Sequence, residues 1–145
     1  MPNLSNIVKT TVLCLFIAPT ALSFNTNIAR AQTRNTVPQS YSGVWRGNGV
    51  QKNPSSEWSI LIAITGGNVN SIVGTVAYPS LNCGGELRLR RVSTNSIELS
   101  ESITYGACIN NGIMTLKASS TRALEYGWQQ GATTAIGKVQ KISGK

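Results

Sequence analysis

From residue 43 to residue 141 the sequence is a succession of short β-type runs, and this pattern restricts the fold more than any other feature. The runs are rich in β-branched, aliphatic and aromatic residues, and Gly, Asn, Ser or Pro separates each from the next. They cover residues 43–51, 57–65, 70–78, 84–92, 96–103, 112–118, 122–128 and 133–141. None of them has a sustained helical period, so the sequence predicts an all-β domain.

Eight consecutive strands with short connections favour an antiparallel meander. Closing such a meander into a barrel removes the exposed edge strands that invite aggregation. We therefore expect one small eight-stranded antiparallel barrel, with an interior filled mainly by side chains. A two-sheet β-sandwich is the alternative that the same pattern allows.

The first 31 residues have the pattern of a secretory signal peptide. Lys9 precedes an apolar run over residues 12–22, and the small-x-small triplet 29–31 predicts cleavage after Ala31. A cut after Ser23 is a weaker alternative, and an uncleaved N-terminal anchor is another. The apolar run is too short for a stable membrane span, which needs about 20 residues. We therefore expect a secreted or periplasmic protein with a flexible leader at 32–42, a barrel domain at 43–141 and a tail at 142–145.

Export would leave a simple set of cysteines. The chain has three cysteines, and Cys14 would be removed with the signal peptide, which leaves Cys83 and Cys108. Two cysteines in an oxidising compartment are expected to form a disulfide bond. In the chain-entropy model such a bond, closing a loop of this length, stabilises a domain by roughly 3 kcal/mol.

The charge of the chain favours anionic partners. Cleavage would remove Lys9 and Arg30, which leaves 11 of the 13 cationic residues against 5 acidic ones, a charge of +6. Acidic polysaccharides, phospholipid headgroups and acidic proteins are possible partners, whereas export argues against nucleic acid. Arg88, Arg90 and Arg91 are predicted to face outward on one strand. They form either a patch that binds an anion or a partner, or simply a solvated face.

Composition excludes most catalytic and metal chemistry. The chain has no histidine and no aspartate, so a Ser-His-Asp or Cys-His arrangement is impossible. Half-cystine sulfurs cannot act as thiolate metal ligands, and no glycine-rich phosphate-binding loop is present. We expect a monomer that is not an enzyme and that has no metal or cofactor.

Glu101 is the one acidic residue that alternation places on an apolar face, together with Ile97, Leu99 and Ile103. A buried carboxyl group needs a hydrogen-bonding or charged partner. The candidates are Tyr78, Lys117, Arg122 and Tyr126. Glu101 would then either fix the strand register or contact a ligand in the mouth of the barrel.

The tryptophans are predicted to lie on inner faces, where packing is their usual role. They are Trp45, Trp58 and Trp128, and Tyr126 shares a face with Trp128. Aromatic side chains at the end of a barrel can also contact a ligand, so Trp128 and Tyr126 join Glu101 and Tyr78 as candidates.

The two cysteine segments "YPSLNCGGELRL" and "ESITYGACINNG", followed by "LEYGW", resemble a small β-rich bacterial domain. That domain occurs alone in secreted cyanobacterial proteins and attached to Ser/Thr protein kinases and caspase-like proteins. The matching residues are Gly74, Tyr78, Pro79, Cys83, Gly85, Leu87, Leu89, Glu101, Ile103, Gly106, Cys108, Gly112, Tyr126 and Trp128. Asn111 departs from the pattern, which often has an acidic residue there. The resemblance implies an extracytoplasmic, non-catalytic module without a known ligand.

Together these features predict an exported binding or interaction module of unknown ligand, which recognises an anionic partner in one version of the hypothesis. The alternative is an exported inhibitor of a bacterial hydrolase such as a protease. In that case the leader at 32–42 would insert into the active site of the target.

Overall fold

The computed structural model describes residues 35–142. The predicted signal peptide, its cleavage site and the last three residues of the predicted tail lie outside the described residues. Eight β-strands follow one another, each bounded within two residues of its prediction. They are β1 Gly43–Gln51, β2 Ser56–Ile64, β3 Ile72–Tyr78, β4 Cys83–Val92, β5 Ser96–Tyr105, β6 Ile113–Ser120, β7 Ala123–Gln130 and β8 Thr133–Lys141. Two short 3₁₀ turns, Gln39–Tyr41 and Pro79–Leu81, complete the secondary structure of the described part.

The strands form a closed antiparallel barrel in sequence order. Each strand pairs with the next, and β8 pairs with β1 over a register that runs from Trp45 opposite Lys141 to Gln51 opposite Ala135. The predicted meander barrel is therefore confirmed, and the sandwich alternative is wrong. Closure leaves none of the eight strands as an unpaired edge.

The core fills the barrel because alternate residues of each strand point inward. In β2 the residues Trp58, Ile60, Ile62 and Ile64 are all buried, as the alternating pattern predicts. In β4 the buried leucines 87 and 89 alternate with exposed charged residues. All three tryptophans are buried, which confirms that they lie on inner faces.

One end of the barrel, which we call the closed end, is covered by residues 35–42. The backbone N–H of Val37 donates to the carbonyl of Gly67 at 2.9 Å, and that of Val69 donates to Asn35 at 2.7 Å. Tyr41 is buried, and its carbonyl accepts a 2.8 Å hydrogen bond from Trp45 Nε1. These contacts correct the prediction of a flexible leader at 32–42: its described part is hydrogen-bonded to the barrel.

The opposite end is the barrel mouth, where β1, β3, β5 and β7 finish. Its longest connection is the β5–β6 loop, residues 106–112. A disulfide bond joins Cys108 in this loop to Cys83 at the start of β4, with the two Cα atoms 6.0 Å apart. The predicted disulfide is therefore confirmed. Such a bond is compatible with an extracellular or periplasmic location.

The β5–β6 loop is also braced by Asn110. The side-chain oxygen of Asn110 accepts hydrogen bonds from the backbone N–H groups of Ile103 and Asn111, both at 2.8 Å. Asn111 has a left-handed backbone with φ of 62°, a conformation that asparagine tolerates better than most residues. Among residues 35–142, no helix has the length and apolar character needed to cross a membrane.

Candidate functional site

A cavity of about 400 Å³ opens at the barrel mouth. Four aromatic side chains from three strands line it: Trp58 of β2, Tyr78 of β3, and Tyr126 and Trp128 of β7. Leu81 and Ile109, both substantially exposed, are among the apolar residues that line it from the connections. Glu101 of β5 is the one charged side chain among its lining residues. The predicted filled interior therefore holds for most of the barrel but not at this end.

Glu101 is only 2% exposed, which confirms its predicted place on the apolar face. The indole Nε1 of Trp128 donates a 2.9 Å hydrogen bond to one carboxyl oxygen, Oε2. The other oxygen, Oε1, is buried and has no hydrogen-bond partner within the described structure. The carboxyl group is thus half satisfied.

Two glycines allow the indole groups to occupy the mouth. A Cβ atom on Gly112 would lie 2.1 Å from Trp128 Nε1, and one on Gly49 would lie 2.9 Å from Trp58 Nε1. Both distances are too short for a side chain to share the space. Gly112 also lies directly across from Glu101, because its carbonyl accepts the Glu101 backbone N–H at 2.9 Å. Sequence reasoning placed Gly112 only within a resemblance and missed Gly49.

Three more polar groups at the mouth are buried without a hydrogen-bond partner in the described structure. They are Trp58 Nε1, the Tyr78 hydroxyl and the Tyr126 hydroxyl. The Tyr126 hydroxyl lies close enough to the Tyr78 hydroxyl and the Trp58 indole for each to affect its pKa, but none of these contacts has standard hydrogen-bond geometry. The rings of Trp58 and Tyr78 meet edge to face, with centroids 6.5 Å apart. Because native proteins pair nearly all buried polar atoms, four such atoms around one cavity are an unusual concentration.

Burial controls the ionisation of this cluster. Desolvation by burial is the largest effect on Glu101 and raises its pKa. The neighbouring Tyr78 hydroxyl and Trp128 indole lower the pKa by a smaller amount. Although the Tyr78 hydroxyl is close enough to lower that pKa, it makes no hydrogen bond of standard geometry with Glu101. Desolvation also raises the pKa of Tyr78 and of Tyr126, so both phenols are neutral donors and acceptors.

The structure brings Tyr78, Tyr126 and Trp128 together with Glu101, whereas the two predicted cationic partners lie elsewhere. Lys117 is on the outer face, with its Nζ 3.4 Å from a carboxyl oxygen of Glu125. Arg122 lies in the β6–β7 turn at the closed end. The partner that sequence reasoning missed is Trp128, whose indole was considered for packing and ligand contact but not as a donor to Glu101.

The predicted arginine patch faces outward but is partly neutralised. Arg91 pairs with Glu98 at 2.9 Å, and Arg90 Nε lies 3.6 Å from the same carboxyl group. Arg88 donates to the backbone carbonyl of Asn70. The cross-strand register of β4 and β5 places Glu98 opposite Arg91. An anion that binds here would compete with this acidic side chain.

A larger concavity of about 1150 Å³ lies on the outer face of β1, β6, β7 and β8. Arg46, Lys52 and Lys138 line it beside Ile136, which is 62% exposed. Sequence reasoning missed this grouping because its members are distant along the chain. Its charged side chains are exposed, and the one buried unpartnered hydroxyl among its lining residues, that of Tyr126, also belongs to the cavity at the mouth.

Comparison with known proteins adds no relative: the chain matches no family model and none of the curated protein sequences. The resemblance described above therefore stays a prediction. Within residues 35–142, no three His, Cys, Asp or Glu side chains come together to hold a metal ion.

Proposed function

We propose that this protein is an exported, non-catalytic binding module whose barrel mouth receives a small ligand or one side chain of a partner. One observation carries the proposal: Trp58 Nε1, the Tyr78 and Tyr126 hydroxyls and Glu101 Oε1 are all buried around one cavity, and none of them makes a hydrogen bond of standard geometry in the described structure. An unmade hydrogen bond of this kind costs about 1–3 kcal/mol. A ligand that supplies the missing partners would recover part of that free energy.

The size and lining of the cavity agree with ligand binding. Its volume of about 400 Å³ falls within the range of roughly 300–1,000 Å³ typical of small-molecule sites. Such sites combine mainly apolar and aromatic walls with a few polar groups, and this mouth has that composition. Catalysis is disfavoured because the lining offers a single carboxyl group and the chain has no histidine or aspartate.

The test uses the tryptophans as reporters. Two of the three, Trp58 and Trp128, line the mouth, whereas Trp45 donates to Tyr41 at the closed end. The exported protein, labelled with ¹⁵N, is titrated with separate pools of sugar, alcohol, amine and carboxylate fragments. We expect a pool to shift the indole N–H signals of Trp58 and Trp128 while Trp45 stays fixed. If every pool leaves all three signals unchanged, the proposal is wrong.

A matched pair of tyrosine variants locates the site. Tyr78 and Tyr41 both have a buried hydroxyl that makes no hydrogen bond of standard geometry in the described structure. That of Tyr78 lies at the mouth beside Glu101 and Tyr126, and that of Tyr41 lies at the closed end beside the Ala118 backbone. We expect Tyr78→Phe to weaken fragment binding and Tyr41→Phe to leave it unchanged. Equal effects of the two variants would contradict a site at the mouth.

Recognition of an anionic partner is the second version of this function. The cationic residues Arg46, Lys52 and Lys138 on the outer face favour it, since no ion pair engages them in the described part of the chain. Heparin, a polyanion, is the probe. Weaker heparin binding after Arg46, Lys52 and Lys138 are all replaced by glutamine would support this version. Binding that falls instead on replacement of Arg88, Arg90 and Arg91 would place the partner on the other face.

The hydrolase inhibitor gains no such support. Its proposed inserting segment is the leader, and residues 35–37 are engaged in hydrogen bonds with the β2–β3 loop. Insertion into a target would require these bonds to break. We therefore prefer the binding module.

A further inference from the structure

Charge distinguishes the barrel mouth from the rest of the molecule. The chain as a whole carries a net charge of +8, yet the residues that line the cavity at the mouth include one charged side chain, and it is acidic. Glu101 is among the residues that line the cavity there; it is 2% exposed, and its Oε1 is buried without a hydrogen bond of standard geometry. A buried carboxylate is best stabilised by an opposite charge that also donates a hydrogen bond to it.

The aromatic walls favour the same kind of ligand. Trp58, Tyr78, Tyr126 and Trp128 surround the cavity, and the faces of such rings attract cations through their negative electrostatic potential. The apolar parts of the same walls suit an alkyl chain. An anion would meet the carboxyl group of Glu101 without a cationic side chain among the lining residues to offset it.

The number of free acceptors selects among cations. Glu101 Oε1 and the oxygens of Tyr78 and Tyr126 are three buried acceptors that neighbour one another and make no hydrogen bond of standard geometry in the described structure. A primary ammonium group has three N–H donors, whereas a guanidinium has five and a quaternary ammonium has none. The primary ammonium is the group that matches the three acceptors in number.

We infer that the mouth binds a primary alkylammonium group, with its nitrogen paired to Glu101 and its alkyl chain against the aromatic walls. This inference rests on the proposed function, because it names the ligand class of the same site. The group is supplied either by a free amine or by a lysine side chain of a partner polypeptide. The chemistry at Glu101 is the same in both cases.

Binding is coupled to the ionisation of Glu101. The groups that face it are Tyr78 from β3, and Tyr126 and Trp128 from β7, with Trp58 of β2 on the same cavity, and none of these carries a charge. The ammonium pairs with the deprotonated form of Glu101. Because burial raises the pKa of Glu101, a larger share of the carboxyl groups is protonated at a given pH and must lose its proton before the ammonium binds. Affinity therefore increases as pH rises through the raised pKa, by up to tenfold per pH unit below it.

The experiment compares four probes of similar size by titration calorimetry and by the tryptophan indole signals. The probes are n-butylammonium, butyltrimethylammonium, 1-butanol and butyrate. We expect n-butylammonium to bind at least tenfold more tightly than the other three. In Glu101→Gln the amide oxygen can still accept the hydrogen bond from Trp128. We expect this variant to bind n-butylammonium at least tenfold more weakly than the wild type does, with an affinity that no longer depends on pH. The affinity for 1-butanol changes less than twofold.

Tyr78→Phe provides an independent variant if Glu101→Gln folds poorly. It removes one of the three acceptors, and we expect n-butylammonium to bind about three- to tenfold more weakly, while Tyr41→Phe at the closed end has no effect. If 1-butanol or butyrate binds as tightly as n-butylammonium, the mouth is a binding site but the inference about the ammonium is wrong. If none of the four probes shifts Trp58 or Trp128 and the fragment pools also fail, the proposed function falls as well.

A lysine-containing pentapeptide, Gly-Gly-Lys-Gly-Gly with blocked ends, separates the two sources of the ammonium. Tighter binding than n-butylammonium supports a partner lysine, because the neighbouring backbone then contributes contacts at the exposed rim. Weaker binding supports a free amine. If the peptide with norleucine in place of lysine binds as tightly as the lysine peptide, the ammonium group does not contribute to binding and both sources are contradicted.

Discussion

Replacement of Gly112 by alanine tests whether the mouth is built around the contact between Trp128 and Glu101. The added Cβ would lie 2.1 Å from Trp128 Nε1, so the indole must move away. The backbone at Gly112 is outside the left-handed region, so alanine introduces no conformational strain of its own. The substitution therefore acts through the side chains at the mouth.

Two contributions set the expected magnitude. Displacement of the indole breaks its 2.9 Å hydrogen bond to Glu101 and leaves a buried carboxyl group with no partner, at a cost of about 1–3 kcal/mol. Forcing an extra carbon into a packed site costs a further 1–3 kcal/mol or so. We expect the free energy of unfolding to fall by about 2–5 kcal/mol, a large share of the roughly 5–15 kcal/mol typical of small proteins.

Urea unfolding followed by far-UV circular dichroism measures this loss, with an unchanged m-value as the sign that the folded state remains compact. Gly127→Ala in β7 is the matched control, because the nearest atoms to its added Cβ, both from Thr115, lie at 3.9 Å. That variant should stay within about 0.5 kcal/mol of the wild type. If Gly112→Ala is equally harmless, or Gly127→Ala equally harmful, the account of how the mouth is built is refuted.

Three further predictions concern stability. Replacing Cys83 and Cys108 together by alanine should lower the free energy of unfolding by about 3 kcal/mol, and urea unfolding with and without reductant checks this; no loss would contradict the loop-closure argument. Because the pKa of Glu101 is raised in the folded state, its protonation stabilises the fold at low pH, and that contribution is lost as pH rises through the raised pKa. Glu101→Gln should therefore gain stability relative to wild type as pH rises above 4.5, the ordinary pKa of a glutamate, in urea titrations, and a constant difference would contradict the raised pKa. Arg91→Ala should change stability by less than about 1 kcal/mol, since its ion pair with Glu98 is exposed to solvent; a larger loss in thermal unfolding would indicate a structural role for the arginine cluster.

The barrel and its disulfide bond could be predicted from the sequence because the sequence patterns that indicate them are local. Alternation in β2, from Trp58 to Ile64, defines an inner face, and turn residues between the runs define the strand boundaries. The pairing of Cys83 with Cys108 followed from the small number of cysteines that export would leave. The placement of Glu101 inside followed from the same alternation in β5.

The rest could not be predicted because it depends on distant residues meeting in space. The donor to Glu101 is Trp128, which is 27 residues away and reaches it only because Gly112 leaves room. The contact of residues 35–42 with the closed end arises from backbone hydrogen bonds that side-chain patterns do not reveal. The pairing of Glu98 with two arginines follows from the exact cross-strand register, which alternation alone does not specify.

The described chain enters and leaves the barrel at the closed end, where the backbone N–H of Ile142 donates to the carbonyl of Val44 at 2.8 Å. Attachment to a sensor surface through a residue near either of these positions would orient every molecule with its mouth toward the solution. The same arrangement makes circular permutation practical, with a linker that joins residue 142 to residue 35, so that the contacts of residues 35–42 are kept, and with new termini opened elsewhere. Opening the new termini in the β5–β6 loop, whose residues Ala107, Cys108 and Ile109 line the cavity, would test how much that loop contributes to the site without breaking any of the eight strands.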